Sequence, residues 1–472
     1  MALPPGGKGL QISTPFVTLG KFVGLTCPCP HVDIGQMSRF VPPLLLALGL
    51  LPMPRQKATA QTIAYEEAPH HYWTAPLTDP GSALDAALQS GQFTLPAGND
   101  LAAVRAVLEQ LRIPESSQTL VFSKTSVQKD HISPWNPRAL YFNDECYAGW
   151  VPGGLMEFAL MDPVLGPVFY LLDFNRPDRP RPRLDRPQSC LDCHGSNMTN
   201  RLPGLMIRSV FPDKEGSVLF QAGTSLIDHT SPIENRWGGW YVTGNHGELV
   251  HRGNAFAADA DGTIRLNTAQ SSNLQSLARF FPEKNYPRRT SDIVALMVLE
   301  HQVMMSSRLV EASYDVRAAL ARQKALREEL RDPPTGEIVG TAKIIAESHV
   351  TKLLDALLFK GEAELPQGGI KGNPDFQRDF CAQHPAMADG RSLTEFHLGN
   401  RLFRRRCSYL IYSRQWAALP GPFLQLVYAR LHAILTAPEA PAGYTHLSRE
   451  ERHAILAILR DTLKGLPASW KS

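Results

Sequence analysis

The sequence predicts an α+β fold in which β-rich amino-terminal and middle regions are covered by a mainly helical carboxy-terminal region. Short runs rich in β-branched and aromatic residues, separated by turn residues, predict strands and hairpins between residues 119 and 252. Apolar residues at helical spacing predict long helices after residue 291. Strands grouped before helices, without a regular alternation of the two, are typical of the α+β class.

The first region, residues 61–175, combines helix and strand. Val104, Leu108 and Leu111 form one apolar stripe and predict an amphipathic helix over residues 101–111. Strands are predicted over residues 119–122, 139–142, 156–161 and 168–172.

The second region, residues 176–290, is predicted to be rich in strands. One hairpin is predicted over residues 205–221. A second hairpin is predicted over residues 237–252, and its turn at residues 245–247 would place His246 at an exposed tip.

The third region, residues 291–472, is predicted to be helical. Ser291 and Asp292 supply the start signal for a long helix that continues to residue 323. Further helices are predicted over residues 342–358, 422–436 and 449–464.

The amino terminus has the pattern of an export signal that begins only at Met37. A short cationic start at Arg39 precedes the apolar run of residues 40–51, and residues 58–60 give a small-residue cleavage pattern. We therefore predict an extension upstream of the true start over residues 1–36, a signal peptide over residues 37–60 and a mature exported chain from Gln61.

Composition excludes two classes of partner. The formal net charge is only +3 over 472 residues, so neither nucleic acid nor a membrane surface is expected as a partner. The apolar run of residues 40–51 is too short for a bilayer, which takes roughly 20 residues, so no stable membrane span is expected after cleavage. An uncleaved anchor stays open as an alternative, because Arg55 and Lys57 lie between this run and the cleavage site.

Residues 190–194, Cys-Leu-Asp-Cys-His, are the stretch that indicates a chemistry. Cys190 and Cys193 can each add to a vinyl group of haem and form a thioether, and His194 is then placed to ligate the iron. Asp185 and Pro187 predict the start of a short helix before this motif, on which the two sulfurs and the imidazole share one face.

Three other uses of the cysteine pair are less favoured. A structural zinc site needs a further ligand, and no second CxxC or HxxxH pair follows. A thioredoxin-like pair should follow a strand and open a long helix, and a disulfide within so tight a loop is strained. Covalent haem c is therefore predicted, and one group only, because there is no second CxxCH. Haem attachment to this motif takes place outside the bacterial cytoplasm, which agrees with the export signal and predicts a periplasmic or otherwise exported protein.

Three cysteines then remain in the mature chain: Cys146, Cys381 and Cys407. In an oxidising compartment Cys381 and Cys407 are able to pair and leave Cys146 free, while three unpaired thiols are the alternative.

The pentapeptide resembles the haem-attachment site of c-type cytochromes. The chain departs from their small all-helical domain, because hairpins are predicted after the motif and no methionine lies between Met206 and Met297. Much of the mature chain resembles large, uncharacterised, exported bacterial monohaem proteins, and a fainter likeness is to periplasmic sensor domains of the PAS type with covalent haem. The segments that carry the first of these likenesses are residues 126–128, 137–142, 228–232, 237–241 and 407–412.

The second axial ligand of the iron separates an electron carrier from an open, reactive site. His229, His251 and His301 are the candidates, ranked ahead of Met198 and Met206, which are close in sequence to the pentapeptide. Each histidine has a structural role, in a turn or in the core, as its alternative.

Two further groups of side chains are candidates for contacts with haem. An aromatic cluster could wall the group or be plain core: Trp237, Trp240 and Tyr241. Arginines that alternate with prolines could pair with haem propionates, steer an acidic redox partner, or form a solvated linker: Arg176, Arg179, Arg181, Arg183 and Arg186.

The sequence thus predicts an exported monohaem c-type cytochrome that transfers electrons through covalent haem c to a redox partner protein. The large size of the chain favours a peroxidase-like oxidoreductase as an alternative, and the β-rich surround favours a haem-based periplasmic sensor module.

Overall fold

A seven-stranded antiparallel sheet lies at the centre of the fold and confirms the strand-rich half of the α+β prediction. Its strands are β1 (Thr119–Val121), β2 (Arg138–Phe142), β3 (Cys146–Trp150), β4 (Met156–Asp162), β5 (Gly166–Leu172), β6 (Leu184–Asp185) and β9 (Trp240–Tyr241). They follow the order β6-β5-β4-β3-β2-β1-β9. Two small sheets pair β7 (Arg208–Val210) with β8 (Thr224–Leu226), and β10 (Phe256–Ala260) with β11 (Thr263–Asn267).

This computed structural model describes residues 64–176, 178–269 and 271–470. The predicted extension, the signal peptide and the mature start at Gln61 lie outside the described residues. These described residues fall within one compact unit, to which all three predicted regions contribute.

Helices cover both faces of the large sheet. Two amino-terminal helices, α1 (Pro80–Ser90) and α2 (Asp100–Gln110), pack against one face. The short α3 (Cys190–His194) carries the pentapeptide. The helical region consists of α4 (Ile293–Leu330), α5 (Gly340–Leu357), α6 (Pro374–Ala382), α7 (Arg414–Ala417), α8 (Gly421–Thr436) and α9 (Arg449–Thr462).

Side chains alternate between the two faces of the sheet, as in any pleated strand. On β2, Ala139 and Tyr141 join the core formed with α1 and α2. Leu140 and Phe142 point to the opposite face and join the core formed with α4. This second face also borders the pentapeptide.

The long helix α4 is the main element over the second face. Asp292 caps it by accepting a hydrogen bond from the backbone N–H of Ala295 at 2.9 Å. By length and composition α4 could cross a membrane, but 83% of its most apolar window is buried within the fold, which is the pattern of a core helix.

Most predicted elements are confirmed. The helix over 101–111 is α2, the long helix from residue 291 is α4, and the later helical predictions are α5, α8 and α9. The four predicted strands are β1, β2, β4 and β5, while β3 and β6 were not predicted.

The second predicted hairpin is wrong. Trp240 and Tyr241 pair with β1 and not with residues 248–252. The Asn254 side chain takes the place of a strand partner, because its amide accepts from the Val242 N–H at 2.7 Å and donates to the Val242 carbonyl at 2.8 Å. His246, expected at an exposed tip, is buried.

Two local boundaries also differ from the prediction. The first hairpin exists, but its return strand β8 begins at Thr224, beyond the predicted end at residue 221. Asp185 belongs to β6 and does not cap the pentapeptide helix, which begins directly at Cys190.

His384 links α6 to the turn between β2 and β3. Its Nδ1 lies 2.7 Å from the Phe380 carbonyl and its Nε2 3.0 Å from the Asp144 carboxylate, and because both partners are acceptors this arrangement favours the protonated ring. Burial alone would lower the pKa of His384, but the charge of Asp144 and these hydrogen bonds raise it above its ordinary value.

A His384→Gln variant is therefore expected to lose stability in a pH-dependent way. A raised pKa stabilises the folded state below the unfolded value of about 6.5, and this contribution is lost as the pH rises through the folded pKa. We expect a loss of about 2 kcal/mol in the free energy of unfolding at pH 5.5 and a smaller loss at pH 9, measured by urea denaturation. The exposed His453→Gln variant is the control; equal losses at both pH values would contradict the assignment.

Candidate functional site

The pentapeptide presents its three reactive side chains to one cavity. Cys190 is half-buried, Cys193 is exposed and both are free thiols. Leu191 anchors the turn in a core cluster that includes Phe169 of β5. Cys190, Cys193 and His194 all line the same cavity.

His194 is held in the form that a metal ligand requires. Its Nδ1 lies 2.9 Å from the Gly204 carbonyl, which can only accept, so Nδ1 carries the proton and Nε2 keeps its lone pair. The ring packs on Phe169 with centroids 4.5 Å apart. Burial lowers the pKa of His194 below its ordinary value, which favours the neutral ring. An imidazole oriented through Nδ1 is typical of metal-ligating histidines.

Burial raises the pKa of the Cys190 thiol to about 11. Reactive cysteines of the thioredoxin type need a lowered pKa. Cys190 therefore lacks the electrostatic signature of a redox-active dithiol. Among the described residues, no three His, Cys, Asp or Glu side chains come together to hold a metal ion directly.

The cavity measures about 610 Å³ and lies between α3, the second face of the sheet and α4. This volume is within the range of sites for small molecules and cofactors. Gly149 of β3 keeps part of it open, since a Cβ there would stand 3.1 Å from Leu140 Cδ2. Apolar side chains dominate its wall, among them Val121, Leu140, Phe142, Phe169, Leu299 and Val303.

The charged residues that line the cavity have a positive balance. Among the described residues that line it, Lys124, Lys129, Arg138 and Arg208 are cationic and Glu157 is the one carboxylate, so their net charge is +3. Burial would raise the pKa of Glu157, but the charge of Arg138 and the hydrogen bonds it receives lower this pKa below its ordinary value.

The three histidines ranked as second axial ligands do not line the cavity. Leu299 and Val303 of α4 face it, and His301, two residues from each, lies on the opposite side of the helix. His301 Nδ1 lies 2.9 Å from His229 Nδ1, deep in the core. The structure thus places both of these residues in core contacts, which was the alternative role of His301, whereas the alternative for His229 was a turn position.

His251 is also a core residue. Its Nε2 lies 3.2 Å from His246 Nε2, and its Nδ1 accepts from the Gly253 N–H at 3.0 Å. Of the described side chains on the cavity wall, Met198 and Met206 offer a thioether donor, and sequence spacing had ranked both lower.

The arginines before the pentapeptide are occupied by local partners. Arg176 pairs with Asp178, and Arg179 and Arg183 pair with Asp185. Arg181 donates to the Gln89 carbonyl, and Arg186 donates to the Tyr72 carbonyl at 2.8 Å. None of these arginines lines the cavity. The cations that do line it lie in other segments, and no local sequence motif identifies them in advance.

The other candidates are distributed as follows. Trp240 lines the cavity, while Trp237 and Tyr241 belong to its surrounding core. Cys146, Cys381 and Cys407 are free thiols, and Cys381 donates to the Thr394 carbonyl at 3.2 Å.

The residues present fit a covalently bound haem. Two thiols and an imidazole with a free Nε2 lie on one wall of an apolar cavity, and the lining cations complement the two propionates of the group.

No family model, curated protein or solved structure matches this chain. The function is therefore inferred from the site itself.

Proposed function

We propose that the protein transfers electrons through one haem c held by Cys190, Cys193 and His194. The observation that carries this proposal is the position of all three side chains on one apolar cavity, with His194 held through Nδ1 by Gly204. When bound, the group supplies one-electron chemistry, its iron alternating between the ferric and ferrous states.

Each part of the site has a defined task in this proposal. Cys190 and Cys193 would hold the group covalently, each by addition of its S–H across a vinyl C=C, and His194 would bind the iron through the lone pair of Nε2. The Gly204 carbonyl fixes the orientation of that imidazole through a 2.9 Å hydrogen bond. The apolar wall limits water and sets the reduction potential through burial.

In this proposal Met206 would be the second protein ligand of the iron. It lines the cavity and is half-buried, whereas Met198 is 37% exposed. A shielded thioether would be the better ligand for a carrier, because water would compete less for the iron. Thioether ligation also favours a higher potential than a second histidine would.

The cavity opening supports an acidic redox protein as the partner. Val127 is 62% exposed and Phe220 is 70% exposed, and both line the cavity. Lys124 and Lys129 lie on the same loop as Val127. An apolar contact beside cations suits a partner with an acidic surface, and such charges mainly raise the association rate.

Electron transfer from the ferrous protein to hexacyanoferrate(III) is therefore expected to slow as ionic strength rises from about 0.01 to 0.15 M, where screening shortens from about 30 to 8 Å. A Lys124→Glu/Lys129→Glu variant should lose about tenfold in rate at low salt, measured by stopped flow. A Lys343→Glu/Lys352→Glu variant on α5 has the same net charge and serves as the control. Equal rates for the two variants would contradict the proposal that electrons leave the protein through this opening.

Export belongs to the same proposal. It depends on the signal pattern of residues 37–60 and on the location of haem attachment, and the mature chain is expected to begin at or near Gln61.

Titration of the ferrous protein with carbon monoxide tests the carrier against its alternatives. A carrier with both axial positions filled is expected to show no spectral change with carbon monoxide. Tight and fast binding would instead support a peroxidase-like enzyme or a haem-based sensor, each of which uses an open position.

A further inference from the structure

Arg138 has hydrogen-bonding capacity that the described part of the chain does not use. It lies on β2, its side chain is 16% exposed and it lines the cavity. Its Nη1 donates to Glu157 Oε2 at 2.6 Å. Its Nε–H is buried and finds no acceptor among the residues that the structure describes. An unpaired buried donor on a charged group is costly, so a ligand that supplies the acceptor gains that free energy.

Glu157 fixes the guanidinium and has little capacity left for a ligand. Its Oε1 accepts from the Ser126 hydroxyl and from Gln128 Nε2, the latter at 2.9 Å. Its Oε2 accepts from Arg138. The Gln128 amide is itself anchored by its bond to the Leu155 carbonyl at 3.1 Å. Arg138 is therefore oriented before any ligand binds.

An arginine held on one side by a carboxylate presents its remaining donors as a planar fork. Such a fork matches a second carboxylate better than a lysine does, since Lys offers a point charge. The surroundings of Arg138 also select the ligand, because most of the cavity wall is apolar. A ligand with a broad apolar body and a carboxylate edge satisfies both requirements.

We propose that Arg138 binds a carboxylate of the cavity ligand and that Ser126, Gln128 and Glu157 position its guanidinium for this contact. The inference rests on the proposed function, in which the carboxylate is a haem propionate. Lys124, Lys129 and Arg208 are the other cations among the described lining residues, and they are available to the second propionate.

A purely structural Arg138–Glu157 pair is the competing explanation. A structural pair is broken equally by removing either partner. If Arg138 binds a carboxylate, removal of Arg138 and removal of Glu157 have different effects on that carboxylate, because only the arginine contacts the ligand. The comparison of matched variants therefore separates the two explanations.

The test uses full-length protein loaded with haem whose propionate carboxyls carry ¹³C, with each propionate pKa followed by NMR. Covalent attachment is established first on the wild type by its retention in denaturant, so failure of the proposed function is seen at that step. Thioether bonds then keep the haem in every variant, and loss of a propionate contact does not require loss of the group.

The Arg138→Gln/Glu157→Gln variant removes both charges, which protects folding and keeps the net charge constant. We expect one propionate pKa to rise by about one unit or more, because an arginine within contact distance lowers a carboxyl pKa by about one to three units. Glu157→Gln alone should leave that pKa unchanged or lower it. Arg138→Lys keeps the positive charge, so it should raise the propionate pKa by less than the double variant does.

Wild-type propionate pKa values in the double variant would overturn the proposal. An equal rise in Glu157→Gln and in the double variant would also overturn it, in favour of the structural pair. An Arg208→Gln variant is the positional control and should leave the Arg138-linked propionate unchanged.

Discussion

Replacement of both Cys190 and Cys193 by alanine is expected to abolish covalent retention of haem. Each sulfur supplies one thioether, and no other described cysteine lines the cavity. Produced with a c-type maturation system, the wild type should keep its haem through acid–acetone extraction, and the double variant should lose all of it. Absorbance of the protein fraction after extraction measures the difference.

The matched control is Cys381→Ala. Cys381 is half-buried and donates to the Thr394 carbonyl, away from the cavity wall. This variant should retain haem as the wild type does. Covalent haem in the Cys190→Ala/Cys193→Ala variant would remove the basis of the proposed function.

The second large effect is expected for Met206→Ala. Loss of the thioether should convert the iron from low-spin to high-spin and allow the ferrous form to bind carbon monoxide. Met198→Ala, an equivalent change at the exposed edge of the same wall, should leave the spin state unchanged. Absorption and electron paramagnetic resonance spectra, recorded with and without carbon monoxide, measure both.

His251→Ala provides a second comparison. Because His251 is buried against Trp237 and His246, its loss should lower stability and leave the axial ligands in place. A low-spin spectrum in both methionine variants would contradict Met206 as ligand. A high-spin wild type would show an open site and favour the enzyme or sensor.

The helices could be predicted because their signals are local. Asp292 caps α4 through a bond three residues away, and apolar side chains recur at helical spacing along α5, α8 and α9. The placement of β9 depends instead on the contact between Leu120 and Tyr241, which are far apart in sequence. Local turn signals at residues 245–247 therefore predicted a hairpin that the fold does not form.

The same distinction applies to the site. The pentapeptide is contiguous, so its three side chains could be identified from sequence. The cavity is built from β2 to β5, the loop after β1 and one face of α4, and no local pattern predicts this assembly. His229, His251 and His301 were ranked ahead of the methionines from sequence spacing alone, and the identity of the second ligand stays a prediction. Sequence could not show that His301 lies on the side of α4 turned away from the cavity, since a helix repeat defines a face without saying what packs on it.

Mass spectrometry of the wild-type protein, produced with a c-type maturation system, tests the central claim most directly. The tryptic peptide that contains residues 190–194 is expected to carry the mass of one haem, and the denatured protein to keep its haem absorption. An unmodified peptide with both thiols free, under conditions that load a control cytochrome, would contradict the proposal.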